Sequence, residues 1–439
     1  MRTAIDIADS SKPVDVASRG KQPGAMTILV PLDTYLPGYK AGGPIRSIAN
    51  MVEALGDELS FRVITLDRDL GDQVPFPDIT TNCWATEASA RVMYLEPGLR
   101  GFMRTYAMFR SLDGNTVVYL NSVFGRRFSI LPILMHYFKL CKPRCIVLAP
   151  RGGFSPGALG LKRLKKLLYL RISRWLGIYD NLIWHACNDL EKMNILNTFP
   201  GAIAADIATF MDGRISGGHR DRASLVVTAP EIAIARESRH DRPPKKAGQL
   251  RLLFVSRISR MKNLSGALQM LQGVSGNVTF DIYGPAEDAE YWEECQCLIA
   301  ALPDTIRVQY HGALEHDQVA KVFREHELFL FPTLGEGYGH VIYESLAAGC
   351  PVLISDQTPW RNLQVEGAGQ DIPLNEPDRF REALQSFVDL DTESYLAYSK
   401  NTTSYLNRRT SDPKTIEATR KLLQLAFSWG ESAGLAGRR

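Results

Sequence analysis

Two glutamates and two cations, far apart along the chain, are the residues whose types and spacing could do chemistry. The stretch Leu328 to Ile354 reads LFLFPTLGEGYGHVIYESLAAGCPVLI: an apolar run, a loop holding Gly335, Gly337 and Gly339, a helical pattern opening near His340, and a second apolar run. Glycines at alternate positions let a backbone approach a ligand, and a helix start aims unpaired N–H groups and partial positive charge into the same space. A phosphate suits that place. Glu336 lies in the loop and Glu344 about one turn into the helix, so both carboxylates can face the cleft above the strand ends. A carboxylate accepts well from vicinal hydroxyls, as on a ribose or a hexose, and repels a bare phosphate. Amides for phosphate and two glutamates for hydroxyls point to one ligand that carries both, a nucleotide sugar. The bland alternative is Glu336 stabilising a helix dipole and Glu344 simply solvated.

The cations come from Val255-Ser-Arg-Ile-Ser-Arg-Met-Lys-Asn-Leu264, which follows an apolar run and places Arg257 at a strand end and Lys262 at the entry to the next helix. A guanidinium can grip a pyrophosphate at two points, and an ammonium can neutralise charge on a leaving phosphate. A solvated basic loop is the competing account.

Arg257 and Lys262 at this spacing, with the Glu336-Gly-Tyr-Gly-His-Val-Ile-Tyr-Glu344 element, resemble the donor site of retaining GT-B glycosyltransferases of the family 4 type, which includes many bacterial polysaccharide and lipopolysaccharide enzymes. The resemblance implies an α/β chain of two Rossmann-like, doubly wound domains facing across a cleft. It implies that Arg257 and Lys262 hold the diphosphate, Glu336 contacts the donor sugar and Glu344 the ribose, with no metal or other cofactor. Glu336, Arg257 and Lys262 are then the expected catalytic set. Gly337, Tyr338, Gly339 and His340 join the donor site, and the paired Gly42 and Gly43 approach the diphosphate from the first domain.

The acceptor side is less defined. Lys40 precedes the paired glycines and offers an extra cation. Some related enzymes carry a histidine at a strand end where this chain has Arg151, so Arg151 and the strand-end His185 are the candidates. Asp67 and Asp69 fit the spacing of a metal-holding aspartate pair, but a metal would duplicate the charge of Arg257 and Lys262, and the pair reads as a turn. The segment from 162 to 174 sets Lys162, Arg163, Lys165, Lys166, Arg171 and Arg174 among leucines. It could rest on an anionic membrane surface or present a solvated basic face over a leucine core face.

The elements that must position these residues follow from the apolar patterning. Met26 to Pro31, Phe61 to Thr65, Thr116 to Leu120, Arg144 to Leu148 and Asn181 to His185 read as strands, with helical patterns between several of them. Leu250 to Val255, Val278 to Tyr283, Ile306 to Tyr310, Leu328 to Phe331 and Pro351 to Ile354 read as a second set. Such alternation predicts mostly parallel sheets. The expected organisation is a disordered lead-in at 1–25, an N-terminal acceptor domain at 26–225, a linker at 226–249, a C-terminal donor domain at 250–410, a helix at 411–428 packing back toward the first domain, and a flexible tail at 429–439.

Composition narrows the classes. The 439 residues suit two domains, and 45% hydrophobic with 23% charged residues is ordinary for a globular protein. A net charge of +3 gives no general attraction to nucleic acid. Seven cysteines form neither paired CxxC elements nor a cluster with histidine, which fits a reducing compartment. No signal-peptide run is evident in the first 25 residues, and Phe128 to Leu140, the longest apolar run, is too short to span a bilayer and reads as a buried helix. A cytoplasmic protein is expected, with a nucleotide sugar and a glycan or lipid-linked glycan as partners and peripheral contact with the inner face of the cell membrane as a further option. The rivals are a nucleotide-sugar epimerase on the same plan and a binding protein without turnover.

Overall fold

The computed structural model describes residues 26–205, 223–234, 242–410 and 413–436. The expected lead-in at 1–25 lies outside them. The first lobe runs β1 (Thr27–Pro31), α1 (Gly43–Leu55), β2 (Ser60–Leu66), β3 (Trp84–Glu87), β4 (Ala90–Leu95), α2 (Gly98–Arg110), β5 (Thr116–Leu120), α3 (Leu131–Tyr137), β6 (Cys145–Leu148), α4 (Pro156–Gly160), α5 (Arg163–Leu176), β7 (Ile183–Ala186), α6 (Asp189–Thr198), β8 (Ile203–Ala205) and β9 (Leu225–Thr228). Its sheet has the order β3-β4-β2-β1-β5-β6-β7-β9-β8, with β3 alone antiparallel to its neighbour. The central strands are apolar throughout because both faces are covered: β5, TVVYL, is buried at every position.

The second lobe runs β10 (Gln249–Val255), α7 (Leu264–Met270), β11 (Asn277–Tyr283), α8 (Ala289–Ala300), β12 (Ile306–Tyr310), α9 (His316–Glu325), β13 (Leu328–Phe331), α10 (His340–Ala347), β14 (Val352–Ser355), β15 (Gly369–Ile372), α11 (Pro377–Asp389) and α12 (Thr392–Thr410). Its sheet is wholly parallel in the order β12-β11-β10-β13-β14-β15. In both sheets the chain reverses its direction of winding beside the first strand, and loops at the carboxyl ends of the strands there form a crevice.

Several expectations are corrected. The strand Leu225–Thr228 pairs with β7 and β8 in the first sheet, so the first lobe continues past residue 225 and the link begins after Thr228. The polar surroundings of this strand hid its membership. The run from Phe128 to Leu140 is not one buried helix: a single turn over Arg126–Ile130 leads into α3, and Phe138 and Leu140 beyond it are exposed. The final helix, α13 (Lys414–Ala436), runs through most of the expected tail. It crosses back to the first lobe and buries Leu422, Leu423, Leu425 and Ala426 with Ile45, Met51 and Val52 of α1 in one core. No helix among the described residues is long and apolar enough to cross a membrane.

Candidate active site

The crevice encloses a cavity of about 270 Å³, with Lys40, Gly42, Gly43, Arg46, Ser47 and Arg151 on the first-lobe side and Arg257, Lys262, Glu336 to Val341 and Glu344 on the second. The two cations and two glutamates singled out in the sequence thus converge on one space between the lobes.

On the second-lobe wall, β13 ends at Phe331 and the loop to α10 is fastened to the turn Arg260–Lys262. Leu334 N–H donates to Met261 O at 2.9 Å, Thr333 Oγ1 donates to the same oxygen at 3.1 Å, and Asn263 Nδ2 donates to Pro332 O at 2.8 Å. These bonds bring Lys262 Nζ to 2.5 Å from Glu336 Oε1, and Thr333 Oγ1 lies 3.2 Å from that same oxygen. Arg257, at the end of β10, is partly exposed and donates to both oxygens of Glu287 at 2.9 and 3.1 Å.

The loop glycines divide by role: Gly337 and Gly339 line the cavity and Gly335 does not. A Cβ on Gly337 would stand 3.0 Å from the carbonyl carbon of Arg151 and 3.1 Å from Gly152 N, and one on Gly335 would stand 2.7 Å from Ser155 Oγ. Those two make room for the other lobe. Gly339 caps α10 at φ 82°, a conformation that favours glycine. Behind it, Tyr338 O accepts from Trp360 Nε1 at 2.6 Å, which fixes the loop.

His340, the first residue of α10, crosses to the first lobe. Its Nε2 is 3.0 Å from Ser47 Oγ and 3.7 Å from Glu231 Oε2. Burial pushes its pKa down to about 4, with Arg151 and Arg46 acting in the same direction against Glu344 and Glu336, so the ring is neutral at pH 7.

On the first-lobe wall, the glycine loop is held by Asp69. Its Oδ2 accepts from Tyr39 N at 2.8 Å and Lys40 N at 3.1 Å, and its Oδ1 accepts from Leu70 N at 2.8 Å. Asp67 pairs with Arg68 at 2.8 Å. Asp69 is therefore a loop anchor and Asp67 holds Arg68, and no cluster of three or more His, Cys, Asp or Glu side chains among the described residues could hold a metal. Lys40 reaches the cavity edge with its Nζ 2.5 Å from Asp72 Oδ1. Gly42, at φ 68°, has open space where a Cβ would stand.

Arg151 lines the cavity but is held on three sides. It pairs with the buried Glu231, donates from Nε to Asn121 Oδ1 at 2.5 Å, and from Nη2 to Tyr119 OH at 3.1 Å. His185 does not line the cavity, which corrects its candidacy. It is buried between Tyr119 OH, 2.6 Å from Nδ1, and Ala229 O, 2.8 Å from Nε2. Burial and Arg151 push its pKa down to about 3. It buttresses Tyr119, which in turn holds Arg151.

The sequence reading missed Arg46, Ser47, Asn188 and Glu231. Asn188 Nδ2 donates to Gly337 O at 2.7 Å across the lobe boundary. A signal for Glu231 existed: an acidic residue three positions beyond the strand Leu225–Thr228, obscured by assigning that strand to a linker.

Residues 235–405 match the family of glycosyl transferases group 1. The chain is 27% identical over 258 residues to a D-inositol 3-phosphate glycosyltransferase of Corynebacterium kroppenstedtii, a match covering 58% of this chain and 49% of that protein. It is 24% identical over 170 residues to the GtfA subunit of a UDP-N-acetylglucosamine–peptide N-acetylglucosaminyltransferase of Streptococcus agalactiae, covering 37% of this chain and 32% of that one. The chain therefore spans half or less of these relatives. Among solved structures, Anabaena HepE with UDP and glucose superposes with TM-score 0.60 at 13% identity, covering 91% of this chain and 99% of that one. Sucrose-phosphate synthase of Thermosynechococcus elongatus does so with TM-score 0.62 at 15% identity, covering 92% and 99%. The fold is GT-B, two Rossmann-like lobes, and the match to the group 1 glycosyl transferases falls on the second-lobe segment.

Proposed function

We propose that this protein is a retaining, metal-independent glycosyltransferase that moves a hexosyl unit from a nucleotide diphospho-sugar to a glycan or lipid-linked glycan acceptor at the cytoplasmic side of the membrane, in surface polysaccharide biosynthesis. The observation that carries this reading is the convergence of Arg257 and Lys262 with Glu336 and Glu344 on one cavity between the lobes. The group 1 match over the same segment supports it, as do HepE, solved with UDP and glucose, and relatives named for transfer to inositol phosphate and to peptide.

In this reading the diphosphate lies between Arg257, Lys262 and the backbone of Gly42 and Gly43. The hydroxyls of ribose and hexose meet Glu344 and Glu336, and the N-terminus of α10 adds partial positive charge. The acceptor oxygen bonds to the anomeric carbon on the face from which the diphosphate departs. As the bond from that carbon to the phosphate oxygen breaks, its electron pair stays with the phosphate, which takes the acceptor's proton. Stabilising that phosphate is the main catalytic work, and Lys262 and Arg257 supply charge that a metal would otherwise bring.

The test is thermal stabilisation of the purified protein by UDP-, GDP- and ADP-sugars in the presence of EDTA. Saturation at 100 times the dissociation constant adds about 2.7 kcal/mol. One nucleotide should stabilise the wild type and fail to stabilise Arg257→Ala; a response that EDTA abolishes sinks the metal-independent reading.

A further inference from the structure

The leucines of the basic segment do not face the core. In α5 only Leu170 and Ser173 are buried, while Leu164 is 85% exposed, Leu168 60% and Trp175 84%. On a helix of 3.6 residues per turn these three exposed side chains fall within about 40° of one another and opposite Ser173. Exposed Arg163, Lys165 and Arg174 flank the stripe, and residues 152–179 contain no Asp or Glu. The neighbouring helices show the same habit. Leu99, Phe102 and Met103 of α2, Phe138 and Leu140 beyond α3, and Leu190 and Met193 of α6 are also exposed. These four helices cover one face of the first sheet, since Phe109, Ile133, Leu170 and Ile195 share a single core beneath them. Fourteen of the eighteen exposed large hydrophobics among the described residues stand on this layer, and only three on the second lobe.

A monomer surface does not keep this much clustered apolar area in water without a use. We propose that the outer face of α2, α3, α5 and α6 docks on an anionic phospholipid bilayer, with Leu164, Leu168 and Trp175 in the headgroup region and the flanking basic side chains on the lipid phosphates. A tryptophan with its ring in solvent suits that interface, and each cation near an anionic surface strengthens binding about fivefold. The absence of acidic residues in the segment favours lipid over a second copy of this chain, which would set like charges together. Docking also orients the cleft. Leu190 belongs to the exposed face and lines a small cavity of about 80 Å³ that ends on Glu336 beside Ser155 and Pro156. A lipid-linked acceptor would thus reach Glu336 from the bilayer side. This last step rests on the glycosyl-transfer reading, whereas the docking does not.

The experiment is flotation of the full chain with phosphatidylcholine vesicles, with and without phosphatidylglycerol, for wild type, Leu168→Glu/Trp175→Glu and Arg257→Ala. Wild type should float with the anionic vesicles and lose binding in high salt. The double variant, which disturbs no buried side chain, should bind at least tenfold less while keeping its melting temperature and its stabilisation by nucleotide. Wild type remaining with the aqueous fraction, or the double variant floating equally well, overturns the proposal. So does a wild-type dimer in solution that the double variant makes monomeric. Arg257→Ala should float normally, so loss of nucleotide binding there leaves the docking result untouched.

Discussion

Lys262 Nζ and Glu336 Oε1 stand 2.5 Å apart at the floor of the interlobe cavity, 74 residues apart in sequence, with both side chains largely buried. The pair joins the group suited to a leaving phosphate to the group suited to the sugar. The contact holds both side chains in place.

Removing the ammonium while leaving the carboxylate should cost catalysis more than binding. Lys262→Ala is expected to lower kcat by about 10²–10³, as for loss of one stabilising donor at a developing anion. Steady-state kinetics check this. An unchanged kcat with only a raised KM would mean that Lys262 binds the ground state alone.

Two neutral, buried histidines set an acid limit on stability. His340 has its pKa pushed down to about 4 and His185 to about 3, each from an ordinary 6.5. The unfolded chain therefore binds protons that the native one refuses, so stability is greatest above pH 6.5 and falls as pH drops toward 4. Melting temperature followed from pH 7 to pH 4 should decline, less steeply in His340→Asn. Equal slopes in the two proteins would show that His340 is not held neutral.

Glu231 pairs with Arg151 and reaches toward His340, with only 3% of its side chain exposed. Glu231→Ala leaves a buried guanidinium without its counter-ion and should cost about 3–5 kcal/mol in urea unfolding. The double change Arg151→Met/Glu231→Leu should recover much of that stability but not activity.

Gly337→Ala tests the closeness of the lobes. Its methyl would meet the backbone of Arg151 and Gly152 at 3.0 and 3.1 Å. The lobes must part slightly to accept it. A kcat about tenfold lower with a nearly unchanged melting temperature is expected, because the contact lies between the cores and not within them. Full activity in this variant would show that the lobes need not meet there.

The alternation of apolar runs was enough to reveal both sheets, since strands buried on two faces leave unbroken Val, Leu, Ile and Phe segments such as TVVYL and LFLF. Of the strands that escaped notice, WATE at the sheet edge, the three-residue IAA and GQDI with its one apolar side chain are marginal in length or composition, whereas ARVMYL is a largely buried strand whose Arg91 breaks the apolar run. The second-lobe wall was legible because strand, loop and helix follow one another within a single stretch. The first-lobe wall was not. Arg151, Glu231 and His340 meet only through tertiary packing, and nothing in local pattern distinguishes Arg151, held on three sides, from an exposed arginine. The leucines of α5 mislead for a related reason: amphipathic spacing says which residues share a face but not whether protein covers it.

The return of α13 to the first lobe bears on how the chain matures. Leu422, Leu423, Leu425 and Ala426 complete a core whose other members are made hundreds of residues earlier. On the ribosome the first lobe must wait, with one apolar groove uncovered, until residues 414–436 emerge. Anyone dividing the chain into separate halves would have to supply residues 414–436 with the amino-terminal piece.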